Sequence, residues 1–360
     1  MKAAVCRAFG APLTIEEVEL AAPRAGEIRV KLAACAICHS DIIYADGGWG
    51  GTLPAVYGHE AAGVIEEVGA GVTHLAPGDH AVVTLIRFCG HCAACSAGSQ
   101  VQCDAAFPLD QRSPLTAAGE VLVHGMRTGA FAEYVVVEAS QAVAIPNDVP
   151  LDSAALIACG VITGLGAVTN TAGVRAGESV VVIGTGGVGL NAVQGAALVG
   201  ASPVVALDLS ESKRAAARRF GATHALDPSA GDVAAALRAV NQGRLADWVF
   251  VTVGAKRAFD QSLGLLAPNG GMVVVGMPNS DVTTSFAPAN FAFYGQKILG
   301  SKMGSARIRI DVPRIVDLYR QGRLKLDELI TGRYPLSDIN EAIASVKRGE
   351  ALRNVIVFDT

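Results

Sequence analysis

The chain has 360 residues, with 29 Lys plus Arg against 33 Asp plus Glu and a formal net charge of -4. That balance provides no basic face and excludes an ordinary nucleic-acid binder. Hydrophobic residues make up 51% and charged residues 17%, which excludes long disorder, and the length suits two domains with full cores.

The opening MKAAVCRAFGAPLTIEEVEL turns polar too early for a signal peptide, so a cytoplasmic location is expected. Eight cysteines in such a chain point to thiolates or metal, not disulfides. Residues 1–150 carry short β-type runs (IEEVEL, EIRVKLAA, GHEAAGVIEEVG, GDHAVVTLI, AEYVVVE) broken by Gly/Pro turns. A loop is expected over Asp104–Gly129. From Val161 the texture changes. SVVVIG, VVALD, DWVFVTVG and GMVVVGMP are apolar strands alternating with helices, the pattern of a parallel sheet covered on both faces. The uncharged stretch Ser179–Leu207 holds six glycines and Pro203, and reads as strand, turn and helix rather than a membrane span. After Met303, IDVPRIVDLYRQGRL and LSDINEAIASVKRGE read as amphipathic helices and NVIVF as a closing strand. The expected fold class is α/β: a doubly wound domain, residues 161–302, inserted into a β-rich domain made of 1–160 plus 303–360.

Within the inserted part, SVVVIGTGGVGL matches G-x-G-x-x-G after a strand. Gly184 permits the tight turn, Gly186 lets the backbone approach a pyrophosphate, Gly187 is an additional glycine, and Gly189 allows close helix–strand packing. The helix N-terminus supplies N–H groups for the phosphates. Asp208 ends the next strand, where a carboxylate meets the adenosine ribose and repels a 2′-phosphate, so NAD is expected as cofactor. Lys213, one helical turn on, is a second ribose candidate.

Cys89, Cys92, Cys95 and Cys103 follow C-x2-C-x2-C-x7-C, a spacing that wraps one tetrahedral, closed, structural zinc. A second constellation is looser. Cys38-His39-Ser40-Asp41 and Gly58-His59-Glu60 both follow β-type runs, and a third thiol, Cys159, stands beside Gly160. Two thiols and an imidazole leave a fourth position open, as a catalytic zinc requires. On the residues alone, Cys159 reads as well as an inert buried thiol, and His59 as well as a core histidine.

CHSD, GHE, the four-cysteine knuckle, the Cys-Gly at 159–160 and GTGGVG occur together in one order. Their combination resembles the zinc-dependent alcohol dehydrogenases of the medium-chain dehydrogenase/reductase family, over essentially the whole chain. The resemblance implies two zinc ions per subunit and NAD. Cys38, His59 and Cys159 would hold the catalytic ion, with Glu60 behind it as an occasional ligand. Asp41 would fix the His59 tautomer, and Ser40 would take the alcohol proton. His39 and Arg353 would approach the pyrophosphate, and Thr163, Val188 and Gly276 the nicotinamide. The β-rich domain would be GroES-like and the inserted one Rossmann-type. Reversible hydride transfer between a primary or secondary alcohol and NAD is the implied reaction.

Two features depart from the family pattern. Many members carry a proton-relaying histidine where this chain has Ile43, so the proton exit differs. Tyr44 is adjacent, and alternation along an extended segment would point it elsewhere. Glutathione-dependent formaldehyde dehydrogenases place an arginine where this chain has Phe107, with Arg112 and Arg127 as nearby substitutes. A thiol-dependent formaldehyde dehydrogenase is therefore the second reading, and a non-catalytic zinc-knuckle binding protein the third. Trp49, Leu85 and Phe107 read as an apolar substrate pocket. The expected partners are a small alcohol or aldehyde and a second subunit, with no nucleic acid or membrane. GMVVVGMP is the strand expected to pair across the two-fold of a homodimer, a homotetramer being the next choice.

Overall fold

A computed structural model describes residues 1–359. The chain divides into two compact units: Met1–Gly160 with the segment from Arg307 onward, and Val161–Ala306. Residues 303–306, grouped by sequence with the flanking part, cluster with the inserted unit.

The first unit is built on the strand Glu27–Ala36, ten residues whose inward side chains alternate along the strand. It pairs antiparallel with Glu60–Val68, Tyr134–Glu138 and Arg353–Val357. His80–Thr84 and Ala142–Ile145 extend one side of this seven-stranded sheet, and Ile330–Pro335 the other. The late strand Arg353–Val357 thus completes a sheet begun near residue 27, pairing Val355 with Ala36 and Val357 with Ala34. A smaller sheet orders Val123–His124, Ala55–Val56, Lys2–Cys6 and Thr14–Glu17. Ile28, Leu32, Ile65, Phe131 and Ile356 fill one apolar cluster in this unit. The two late helices span Ile308–Arg320 and Ile339–Lys347.

The segment 104–129 is shorter on loop than its sequence suggests. It holds a helical turn, Pro108–Gln111, and a hairpin of Leu115–Ala117 with Glu120–Val121. Two ion pairs dock it: Arg87 with Asp110, and Arg112 with both oxygens of the buried Glu27.

His124 has a measurable consequence. Its Nε2–H donates to the Thr128 carbonyl at 2.7 Å, and burial pulls its pKa down to about 4. The folded chain keeps this ring neutral, whereas the unfolded chain protonates near 6.5. The stability it contributes is complete above that value and is lost as pH falls from 6.5 toward 4, by up to about 3 kcal/mol. Denaturant unfolding at stepped pH should show a shallower acid loss in His124→Gln protein than in wild type.

The second unit is a six-stranded, all-parallel sheet ordered His224–Leu226, Val204–Leu207, Val180–Ile183, Ala246–Val251, Leu266–Val274, Lys297–Gly300. Helices Gly187–Leu198, Glu211–Arg219, Val233–Val240 and Lys256–Leu263 intervene. Val180–Ile183 and Val204–Leu207 are buried at every position, which explains their unbroken apolar sequence. Ser179–Leu207 is therefore strand, helix and strand. No single helix among the described residues is long and apolar enough to cross a membrane. The strand containing GMVVV is not an edge. It is hydrogen-bonded on both sides, and the edge strand beyond it is the mostly exposed Lys297–Gly300.

Candidate active site

Strand Glu27–Ala36 runs out at Cys38, which caps a short helix, His39–Ala45. This segment was expected to be extended. The helix carries Asp41 into the interior, where it is 1% exposed, and leaves His39 exposed and Ser40 half-buried. Tyr44 packs on Tyr57 and edge-on to Trp49 at a centroid distance of 5.1 Å, and it sits on a helix where alternation does not apply.

Asp41 organises the residues around it. Its Oδ1 lies 2.9 Å from His59 Nδ1 and accepts from Gly58 N at 3.0 Å, while Oδ2 accepts from Cys38 N at 3.2 Å. Gly58 has φ +92°, and a Cβ there would lie 2.6 Å from Phe131 N. Only glycine brings this N–H onto the carboxylate. With Nδ1 engaged by Asp41, Nε2 is the ring nitrogen left to face the thiols.

That nitrogen is buried and has no hydrogen-bond partner among the described residues. Around it stand the Cys38 and Cys159 thiols and the Glu60 carboxyl, all four ligand atoms within 4.8 Å of one another. Cys38 is held well below the ordinary thiol range, first by a hydrogen bond from Cys159 and then by His59, against the pull of burial. Cys159, the donor, is pushed up. Burial opposes protonation of His59, but the charge and hydrogen bond of Asp41 outweigh it and raise its pKa. Burial pushes Glu60 up to about 7 although Arg353 works against it. A buried imidazole nitrogen without a partner, beside two thiols, is a donor set that suits zinc.

Glu60 is tied from behind. Its Oε2 accepts from Arg353 and, at 3.3 Å, from Gly160 N. The resemblance assigned Arg353 to the pyrophosphate. The structure places its guanidinium, 6% exposed, on Glu60. This pair joins residues 293 apart in sequence, and no local signal announces it.

The second cysteine cluster also converges. Cys89, Cys92, Cys95 and Cys103 bring their sulfurs within 4.8 Å of one another. Backbone N–H groups point at them: Cys92 N at Cys89 Sγ (3.3 Å), Cys95 N at Cys92 Sγ (3.4 Å) and Cys89 N at Cys103 Sγ (3.3 Å). Such donors favour thiolates. The His91 and Cys92 N–H groups hold Cys89 at about 6, while burial raises Cys95 to about 12. Four sulfurs with aimed amides suit a closed tetrahedral ion. His91 turns its Nδ1 to the Cys89 carbonyl at 3.0 Å and is exposed.

Of the three residues expected to line an apolar pocket, Phe107 borders a cavity whose lining includes neither Trp49 nor Leu85. Leu85 and Trp49 are half-buried. Phe107 lies 4.5 Å beneath the Arg87 guanidinium and lines a cavity of about 410 Å³ with Phe88, Cys89 and His91. None of Cys38, His59 or Cys159 borders that cavity. Arg112, the candidate for a thiol's carboxylate, is committed to Glu27.

In the inserted unit the glycine turn has the expected form. Gly184 has φ +87°, and a Cβ on Gly189 would lie 1.9 Å from the Gly184 carbonyl. Beyond Gly186 the space is open, with nothing within 4 Å of where a Cβ would stand, which suits close approach of a dinucleotide. Gly187 and Val188 open the following helix and are half-buried. Thr163 is buried, its Oγ1 3.7 Å from Met303 Sδ, and Gly276 abuts the Val253 backbone. Asp208 ends its strand as expected, and Lys213 is half-exposed.

Residues 24–147 match the model of the alcohol dehydrogenase GroES-like domain, and residues 187–321 that of the zinc-binding dehydrogenases. The chain belongs to the zinc-dependent alcohol dehydrogenases of the medium-chain dehydrogenase/reductase family. An NDMA-dependent alcohol dehydrogenase of Amycolatopsis methanolica is 38% identical, covering 99% of this chain and 98% of its own. Among solved structures, an alcohol dehydrogenase zinc-binding domain protein from Burkholderia ambifaria superimposes with a TM-score of 0.95 at 36% identity, covering 100% of this chain and 99% of that one. Benzyl alcohol dehydrogenase from Acinetobacter calcoaceticus gives 0.94 at 30%, covering 99% of each. The GroES-like and Rossmann-type fold classes agree with these medium-chain dehydrogenase relatives, and the chain is an oxidoreductase of the alcohol dehydrogenase type.

Proposed function

We propose that this alcohol dehydrogenase uses zinc and NAD to oxidise primary or secondary alcohols reversibly. The observation that carries the reading is His59 Nε2, buried and without a partner between Cys38 and Cys159, with Asp41 holding the opposite ring nitrogen. Zinc held by Cys38, His59 and Cys159 would supply Lewis-acid polarisation of the alcohol oxygen, and NAD the hydride acceptor. Asp41 keeps His59 in the ligating tautomer. Ser40, on the turn after Cys38, takes the substrate proton at Oγ. Ile43 carries no proton, so release from Ser40 uses a route other than position 43. Glu60 and Arg353 balance charge behind the ligands. Gly186 and the N-terminus of the helix that Gly187 opens would receive the pyrophosphate, with Gly184 permitting the turn and Gly189 the close packing; Asp208 and Lys213 would meet the ribose, and Thr163, Val188 and Gly276 would lie along the nicotinamide. The knuckle would hold a second, structural zinc.

The thiol clusters suit a reducing, cytoplasmic setting. A homodimer is proposed through the edge strand Lys297–Gly300, beside which Phe293 is 82% and Phe286 51% exposed.

The test is NADH formation, read by absorbance, with primary, secondary and aromatic alcohols. Parallel arms use formaldehyde with and without glutathione, and NDMA as acceptor. Turnover on plain alcohols supports the reading. Turnover only with formaldehyde plus thiol refutes it in favour of the adduct dehydrogenase. Alcohol oxidation only with NDMA shows that the chain does not release NADH.

A further inference from the structure

The variable residue of the glycine turn is engaged with the ribose carboxylate. Thr185 N–H donates to Asp208 Oδ2 at 2.7 Å, and Thr185 Oγ1 donates to the same oxygen at 3.0 Å. Ser210 N–H donates to Oδ1 at 2.9 Å. Thr185 is fully buried, whereas Asp208 is partly exposed.

A carboxylate accepts at about four lone-pair sites. Thr185 fills both on Oδ2 and Ser210 one on Oδ1. One acceptor site remains, on the oxygen that Thr185 does not hold. A ribose hydroxyl carries the hydrogen that site needs, and a 2′-phosphate monoester does not. The neighbouring guanidinium is occupied as well. Arg214 Nη1 lies 2.8 Å from the carbonyls of Asp208 and Leu209 and 3.3 Å from Asp227 Oδ2. It is turned to the chain's own acceptors.

We propose that Thr185 is a specificity-determining positioning residue. Its hydroxyl locks Asp208 so that Oδ1 faces the ribose, and this sets the discrimination between NAD and NADP. The inference rests on the NAD reading above. Thr185 acts only through Asp208, since its buried side chain does not reach a ligand. Thr185→Val keeps the shape and the N–H but removes the O–H. Oδ2 then has one donor, and the carboxylate is free to rotate and take water. Thr185→Ser restores the donor.

The experiment is direct titration of NADH and NADPH, by ligand fluorescence or calorimetry, on zinc-loaded wild type, Thr185→Val, Thr185→Ser, Asp208→Asn and the double variant Thr185→Val/Asp208→Asn. Loss of one hydrogen bond to a charged group predicts a rise of about tenfold in Kd for NADH in Thr185→Val, with NADPH changed far less. Thr185→Ser should keep the wild-type ratio. In the Asp208→Asn background, Thr185→Val should cost nothing further, because the partner it orients is gone. Equal losses for both nucleotides in Thr185→Val, or a full additional loss in the double variant, would overturn the proposal and leave Thr185 a packing residue. Wild-type protein that binds NADPH more tightly than NADH would overturn the NAD reading itself, whatever the variants do.

Discussion

Cys38→Ala protein is expected to bind one zinc fewer per chain than wild type and to lose alcohol oxidation by about 10³-fold or more. The magnitude follows from the several kcal/mol that a Lewis acid contributes to a developing alkoxide, at about 1.36 kcal/mol per tenfold in rate. The physical reason is local. Removing Cys38 leaves His59 and Cys159 as a two-ligand set, with Glu60 held back by Arg353. The fold should persist, because the strand Glu27–Ala36 ends before Cys38 and is held by its own ladder on both sides. A smaller change tests the same geometry. Asp41→Asn sets an amide NH₂ opposite the Cys38 N–H, donor against donor, and should weaken zinc binding by roughly 10–100-fold. Elemental analysis and a competitive chelator titration read both effects. Full activity in Cys38→Ala protein would remove this cluster from the chemistry.

The second large effect concerns the knuckle. Between Cys89 and Cys103 only Val101 is buried, and the helical turn Ala93–Ser96 buries nothing. Such a segment has too little apolar area to order itself, so the proposed structural ion would contribute its folding energy. Cys95→Ser should cost several kcal/mol locally, expose 89–103 to limited proteolysis, and lower the thermal midpoint. Unchanged protease resistance and melting in Cys95→Ser protein would show that the loop folds without metal.

Much of this was legible in the sequence, for reasons particular to each element. The glycine turn reads directly because its geometry excludes other residues. Gly184 takes φ +87°, and the missing Cβ of Gly189 leaves room for a carbonyl 1.9 Å away. The four cysteines of the knuckle lie within one short segment, so spacing alone conveys the cluster. Other features depend on partners distant in sequence. Cys159 and His59 became a site only when the fold brought them together, and the Glu60–Arg353 and Glu27–Arg112 pairs have no local signature. The extended reading of 38–44 failed because a two-turn helix made of His, Ser, Asp, Ile and Tyr has no apolar period to show. The strand expected to pair with a second subunit, GMVVV, has no free edge, for an instructive reason. GMVVV is apolar throughout because both its faces and both its edges are covered. The strand with an open edge, Lys297–Gly300, is mostly exposed and carries a lysine.

The measurement that tests the central claim most directly is a zinc titration followed by turnover. The proposed catalytic ion, with three protein ligands, should yield to a chelator before the closed four-sulfur site. Protein so reduced to one zinc per chain should show no NADH formation from a primary alcohol and NAD. Its rate should then rise in proportion to added zinc and reach its maximum at two per chain. Full alcohol-dependent turnover at one zinc per chain, unchanged by the second equivalent, would contradict the account.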